Sequence, residues 1–332
     1  ADKAVFVWGM GITQHVTGED NVHAIINLAL MKGFVGREGC GLMPIRGHSG
    51  VQGGAEMGAY ATVLPGGNDI TDANVQQLSA QYGFDVPTTT GLTTPEMLEA
   101  ASNGELDVLF AVGGNFREVM PNPKGIRETL GKIPLRVHMD ITLSNQMLVD
   151  PAETVILLPA KTRYEIDGGV TETSTERRVI FSPAIDGFRI KEARSEWDVL
   201  GEIAGRLKPE LADKVQFAST KAIRDEIAQI IPYYDGIQHL EKEGDHFQYG
   251  GVMLCEDWNF PTDDGKAHFK PTVILSHTLA DNEFMIISRR GKQFNSMVHE
   301  ETDTLNHEER DAVLMNRDDA QRLSLRQGDT VV

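Results

Sequence analysis

Cysteine is nearly missing from this sequence. Two residues, Cys40 and Cys255, stand far apart in a chain of 332. They suggest no disulfide framework, and no CxxC pair exists to hold zinc or an iron–sulfur cluster within this chain. Thiols this sparse fit a reducing compartment, and the expected location is cytoplasmic. Positive charge is short as well. Against 49 Asp plus Glu there are 31 Lys plus Arg, so the net charge is −18. A chain so acidic does not track the phosphates of a nucleic acid. No apolar run approaches the length of a membrane span. The first residues, ADKAVFVWGMG, carry no charged-then-apolar leader. No internal repeat or low-complexity stretch stands out.

What is present is an ordinary globular composition. Hydrophobic residues make up 40%, with 33 glycines and 14 prolines, enough for a core of good size. The length suggests one large domain with a smaller part, or two domains. Both ends read as cut. AVFVW at residues 4–8 already has the pattern of a buried strand, and GDTVV at 328–332 stops inside another. The expectation is an excerpt of a longer chain.

Residues 4–9 are apolar with little alternation, which predicts a strand covered on both faces. Glu19 and Asp20 precede Val22, Ile25, Ile26, Leu28 and Ala29, which predicts an amphipathic helix ending near Gly33. Residues 36–58 hold eight glycines, so the backbone there can approach a ligand closely. Helices are predicted at 95–101, 123–130, 195–207, 220–231 and 317–324. Strands are predicted at 107–112, 135–139, 154–158, 284–288 and 329–332. In helix 195–207, Ser195 is the candidate N-cap, and Trp197, Val199, Leu200 and Ile203 define the apolar face. The fold class that follows is α/β, a mostly parallel sheet flanked by helices. It is expected to occupy residues 1–275, with a long connection at 232–280. A β-rich module is expected over 276–332. Ligands of such sheets sit at the carboxyl ends of the strands, where Gly113, Gly114, Asn115 and Asp140 would lie.

Three stretches could carry chemistry. In WGMGITQ, residues 8–14, backbone amides at a helix start could meet a phosphate or a pterin ring. The glycine spacing matches no nucleotide fingerprint, and on spacing alone an ordinary tight turn is the better reading. In PIRGHSGVQG, residues 44–53, a glycine-rich loop presents Arg46 and His48. A planar, permanently charged guanidinium suits a carboxylate or an oxyanion, and a histidine can move a proton near neutral pH. The competing reading pairs Arg46 with a structural carboxylate and makes His48 a loop cap. The third is Asp140 with Ser144 behind it. A carboxylate only accepts hydrogen bonds, so it selects donor edges such as the N1–H and amino group of guanine. A helix N-cap is the commoner role for a lone Asp. Cys40 reads as a plain loop residue, and His138, His246 and His268 lack metal spacing. No metal ligand is assigned.

Seven segments stand out in order: WGMGITQH, GREGCGLMPIRGHSGVQGG, VGGN, HMDITLS, VILLPA, DGGVTETSTERRV and DGKAHF. Together they resemble the large subunit of formate dehydrogenases and related molybdopterin oxidoreductases. SRRGKQFNSM and DAVLMNRDDAQRLSLRQGDTVV resemble the start of that family's C-terminal β-barrel, so an incomplete barrel is implied for 276–332. The resemblance covers essentially the whole chain, and its specificity lies in the ordered set.

It implies a bis(molybdopterin guanine dinucleotide) cofactor carrying molybdenum or tungsten. Arg46 matches the family's active-site arginine. Met10, Gly11 and Gln14 match positions lining the pterin, with Gly47 in the loop beside Arg46. Asp140 and Ser144 match a strand-end pair near the guanine nucleotide, and Gly113, Gly114 and Asn115 the turn beside it. Arg290 and Ser296 match the barrel segment that contacts the other dinucleotide. His48 stands where a glutamine-type residue occurs in formate dehydrogenases. RGHS together with QFNSM looks closer to a side branch of that group, so formate or another small substrate is implied.

The family's cysteine or selenocysteine metal ligand and its 4Fe–4S cluster motif lie upstream of these segments. The 332 residues alone are therefore expected to be inactive. An electron-transfer subunit is the implied partner. Two alternatives stand beside this reading. One is a cofactor-free structural subunit of a respiratory complex with the same fold, which would need none of Gln14, Arg46, Asp140 and Ser144. The other is a nicotinamide-dependent dehydrogenase, against which the missing GxGxxG fingerprint counts.

Overall fold

The computed structural model describes all residues except 1, 49, 175, 277, 288–301, 305, 306, 310, 311 and 332. It forms two units, Ala1–Val273 and Ile274–Val332.

In the first unit, β1 (Val5–Trp8) runs into a short 3-10 turn, Met10–Ile12, and then α1 (Gly18–Met31). Glu19 and Asp20 sit in the first turn of α1, where the helix dipole favours acids. The chain returns as β2 (Gly41–Pro44), parallel to β1 with Trp8 opposite Pro44. The expected burial of β1 on both faces does not occur, since Val5 and Val7 are exposed. These strands make only a two-stranded sheet, so one face stays open. α2 (Val51–Glu56) follows, an element that its glycines hid in the sequence. β3 (Val63–Leu64), β4 (Asn68–Asp69) and α3 (Asp72–Tyr82) lead to α4 (Thr94–Ser102). The amide of Thr93 donates to Glu96 across the start of α4, the reciprocal cap that fixes its entry.

The central sheet is built from β5 (Val108–Val112), β6 (Leu135–Asp140) and β7 (Thr154–Pro159), all parallel in that order. α5 (Phe116–Val119) and α6 (Pro123–Leu130) connect β5 to β6. Pro123 opens α6 and the Asn122 side chain caps it by accepting from the amide of Gly125. Ile126 and Leu130 on its inner face pack with Ala101, Leu109, Ile133 and Val149. This is the α/β layering expected from the alternating pattern.

A second core lies under the antiparallel sheet of β8 (Val170–Thr173), β9 (Arg178–Ser182) and β10 (His246–Gln248). Val179 and Phe181 meet Ile231, Tyr234, Ile237 and Leu240 there. α7 (Glu196–Leu207), α8 (Ala212–Val215) and α9 (Thr220–Ile230) lie between β9 and β10 in sequence. The predicted apolar face of α7 is corrected. Leu200 and Ile203 are 45% and 37% exposed, while Val199, Gly201 and Gly205 are buried. A side chain on Gly201 would meet the Val215 carbonyl at 3.0 Å, so the helix packs on its small residues.

In the second unit, α10 (Arg317–Arg322) forms where a helix was expected. Residues 284–287 and 329–331 form no strand, contrary to expectation. A strand needs a hydrogen-bonded neighbour, and Ile286 and Ile287 are 91% and 77% exposed. No closed barrel forms among the described residues, and the barrel assignment of 276–332 stays a proposal. Arg290 and Ser296 lie outside the described residues.

Candidate functional site

Parallel pairing sorts the candidate residues into two clusters, each at the carboxyl end of parallel strands. The first lies beyond β1 and β2. The amide of Ile45 donates to the Trp8 carbonyl at 2.7 Å, which ties the two loops side by side. Met10, Gly11 and Gln14 are exposed on one loop, and Gly47 and His48 on the other. A side chain on Gly47 would lie 3.5 Å from Cε of Met10, so the sequence-distant loops are in contact.

Arg46 is half-buried beside them. Its Nη1 donates to Oε1 of Gln52 on α2. Nε2 of Gln52 donates to Glu56 Oε1 at 2.7 Å and also contacts the Tyr249 hydroxyl. Tyr249 and Tyr234 each donate to Glu56 at 2.6 Å, to Oε1 and Oε2 respectively. Burial, then the hydrogen bond to Glu56 and its charge, push both hydroxyls far above the usual phenol range. Burial and the same carboxylate push Tyr233 up to about 12. Sequence reading found Arg46 but missed Gln52, Glu56, Tyr234 and Tyr249. Two of these lie some 180 or more positions downstream of Arg46, and only packing brings them back.

The second cluster lies beyond β5 and β6. The amide of Gly113 donates to the Met139 carbonyl at 2.8 Å, which sets the Gly113–Asn115 turn beside the Asp140 loop. Gly113 and Gly114 have φ of +68° and +76°, and a Cβ at either would meet nothing within 4 Å. Here the glycines serve backbone shape and leave open space in front of it. Asn115 Oδ1 and Ser144 Oγ are buried with no hydrogen-bond partner. Buried polar atoms are almost always paired, so two orphans at one strand end mark a place built for something else. Asp140 is not a helix N-cap, because the residues after it form bends and turns. Its Oδ1 accepts from the next amide, Ile141, at 2.7 Å.

Buried Gln146, missed in the sequence, stitches this cluster together. Its Nε2 donates to the Gly114 carbonyl at 2.7 Å and its Oε1 accepts from the amide of Phe116 at 2.9 Å. Arg136 in turn holds the Gln146 carbonyl at 3.0 Å. His138 lies on the same strand with both ring nitrogens buried and unpartnered. Burial first, and the charge of Arg136 second, hold its pKa below the ordinary value.

A family model for molybdopterin oxidoreductases matches residues 1–206. The chain belongs to the molybdopterin oxidoreductase family. This molybdopterin oxidoreductase chain is 31% identical over 287 residues to probable oxidoreductase YjgC of Bacillus subtilis, a match covering 82% of the chain and 27% of that protein. It is 30% identical over 349 residues to the F420-dependent formate dehydrogenase subunit alpha of Methanocaldococcus jannaschii, across 100% of the chain and 50% of that subunit. Protein YdeP of Escherichia coli is 28% identical over 346 residues, across 100% of the chain and 44% of YdeP. The chain thus spans half or less of the length of these relatives.

Other features of this molybdopterin oxidoreductase chain are quieter. Among the described residues, no group of three or more His, Cys, Asp or Glu could hold a metal ion. No helix among the described residues is long and apolar enough to cross a membrane. Burial pushes the Cys40 thiol up, but the backbone of Ala4 and the guanidinium of Arg37 together bring it below its ordinary value. Nη2 of Arg37 lies 3.4 Å from its sulfur.

Proposed function

We propose that the parent protein is a formate dehydrogenase-like molybdenum or tungsten oxidoreductase. Its reaction is the two-electron oxidation of formate or another small substrate at a bis(molybdopterin guanine dinucleotide) centre. The observation that carries this reading is the pair of clusters at parallel strand ends. One presents a fixed arginine and the other an open glycine turn edged by orphaned buried oxygens.

The residues fit the cofactor. Ser144 and Asn115 offer buried polar atoms in need of partners, and Gly113 and Gly114 offer an uncrowded backbone. Asp140 supplies a carboxylate for the donor edge of guanine. Met10, Gly11, Gln14 and Gly47 would line the pterin, and Arg290 and Ser296 would meet the second dinucleotide. When bound, the cofactor supplies the redox chemistry, and the protein supplies orientation and electrostatics. Arg46 would hold the substrate carboxylate or another oxyanion by charge-assisted hydrogen bonds. His48, exposed on the neighbouring loop, would shape the pocket or carry a proton on a ring nitrogen. A 4Fe–4S cluster upstream and an electron-transfer subunit complete the proposal, in the cytoplasm.

The names of the relatives support it, since formate dehydrogenase subunits are among them. A cofactor-free structural subunit would have no use for two unsatisfied buried oxygens beside an open turn. The test is metal and pterin analysis of the full-length parent, expressed with its cofactor machinery. Both are expected. Neither metal nor pterin would overturn the enzyme reading in favour of the structural subunit.

A further inference from the structure

The contacts of Arg46 described above form a chain leading away from the loop cluster. Nη1 of Arg46 meets the oxygen end of the Gln52 amide, and the nitrogen end of that amide meets Glu56 Oε1 at 2.7 Å. Gln52 and Glu56 stand four residues apart on α2, hence on one face. Glu56 is gripped from the far side by two phenols at 2.6 Å, Tyr234 from a 3-10 turn and Tyr249 from the segment after β10. α2 itself is pinned by the amide of Gly53, which donates to Thr173 Oγ1 at 2.8 Å.

An amide has one accepting end and one donating end. Turned over, Gln52 would aim its NH2 at a guanidinium and its oxygen at a carboxylate, and both contacts would be repulsive. Glu56 therefore decides which way the amide points, and the amide anchors the guanidinium through Nη1. The acceptor in this contact is neutral. It orients Arg46 without cancelling the charge, which a carboxylate in the same place would do.

We propose that Glu56, acting through Gln52, is the positioning residue that aims the Arg46 guanidinium at a small anion. Gln52 is the neutral link between the two. This rests on the reading of Arg46 as the anion contact. Gln52 and Glu56 touch neither substrate nor cofactor in this account.

The test uses the full-length, cofactor-loaded parent with four variants, Arg46→Ala, Gln52→Glu, Glu56→Gln and Tyr249→Phe. Metal and pterin content is measured on each. The probes are the formate KM and kcat, and the dissociation constant of acetate, a small carboxylate with no C–H to give up at its carboxyl carbon, by calorimetry. Glu56→Gln is expected to weaken both anions about tenfold, the size of one charge-assisted hydrogen bond, with kcat less affected and metal and pterin unchanged. Gln52→Glu is expected to weaken them by a similar factor, and more so as pH rises and the new carboxyl ionises. Tyr249→Phe should do the same to a lesser degree.

If Arg46→Ala abolishes anion binding while the other three keep parental values, the positioning role is overturned and the reading of Arg46 stands. If Arg46→Ala binds both anions normally, or the parent binds neither, the reading of Arg46 falls and the inference with it. Should Glu56→Gln lose its cofactor, Gln52→Glu and Tyr249→Phe decide the matter by the same criteria.

Discussion

Arg136→Met tests how the second cluster is held. Arg136 is the second residue of β6 and is 0% exposed. Burial lowers its pKa, yet a guanidinium stays charged in any folded protein. Its fork donates to the carbonyls of Gln146 at 3.0 Å, of Asp150 at 3.3 Å, and of Val149. One buried cation thus pins both ends of the 146–150 turn behind the sheet. Methionine keeps most of the stem volume and removes every donor. Each charge-assisted bond is worth about 1.5–3 kcal/mol. Removing the charge also removes a desolvation cost of several kcal/mol. The two effects oppose, and stranded carbonyls favour loss, so the net expectation is about 3 kcal/mol of destabilisation. Urea unfolding of the parent and variant measures it, with hydrogen exchange locating it. Exchange should accelerate in 141–150 and in the Gly114–Phe116 turn, because Gln146 couples the two. A loss under about 1 kcal/mol with unchanged exchange there would refute the pinning argument.

Four further outcomes are expected. Gly113→Ala should cost only about 1 kcal/mol, since its φ of +68° is strained for alanine but nothing crowds the methyl, and it should lower pterin content. Gly169→Ala should cost about 3 kcal/mol or more, because its methyl would lie 2.4 Å from Cζ of Phe181 and 2.7 Å from the Ser182 carbonyl; comparable thermal midpoints for the two variants would contradict both. In an ultraviolet pH titration, Tyr82, Tyr233, Tyr234 and Tyr249, all raised by burial, should ionise only as the chain unfolds. Their folded pKa values exceed the unfolded ones, so the stability they lend is full below pH 10.0 and is lost as pH rises above it. His138 works in the opposite direction. Its folded pKa lies below the ordinary histidine value of 6.5, so stability is full above that and falls at lower pH, as the unfolded chain gains a proton the folded one refuses. Urea midpoints at about pH 5.5 and about pH 7.5 should differ less in His138→Leu than in the parent.

The sheet was legible because local pattern decides it. Apolar-rich stretches at 107–112, 135–139 and 154–158 announce strands, and Pro123 announces the start of α6. The carboxyl ends of those strands are where Gly113, Gly114, Asn115 and Asp140 fall in the sequence. α2 was hidden because Gly53 and Gly54 depress helix propensity, and contact with Thr173 compensates. The burial of Leu200 and Ile203 was misjudged because α7 packs on Gly201 and Gly205, and apolar periodicity does not report close backbone approach. The support of Arg46 was invisible for a different reason. Tyr234 and Tyr249 read as ordinary aromatics, and only the folded chain shows their hydroxyls converging on Glu56. Residues 284–287 form no strand because an apolar run specifies one only when another strand pairs with it, and among the described residues none does.

The most direct measurement is kcat/KM for formate in the full-length enzyme and in Arg46→Ala, each normalised to its metal and pterin content. A loss of about a hundredfold or more at equal cofactor content is the predicted result, the scale for removing a group that stabilises charge at a reaction centre. Equal kcat/KM in the two proteins would contradict the account.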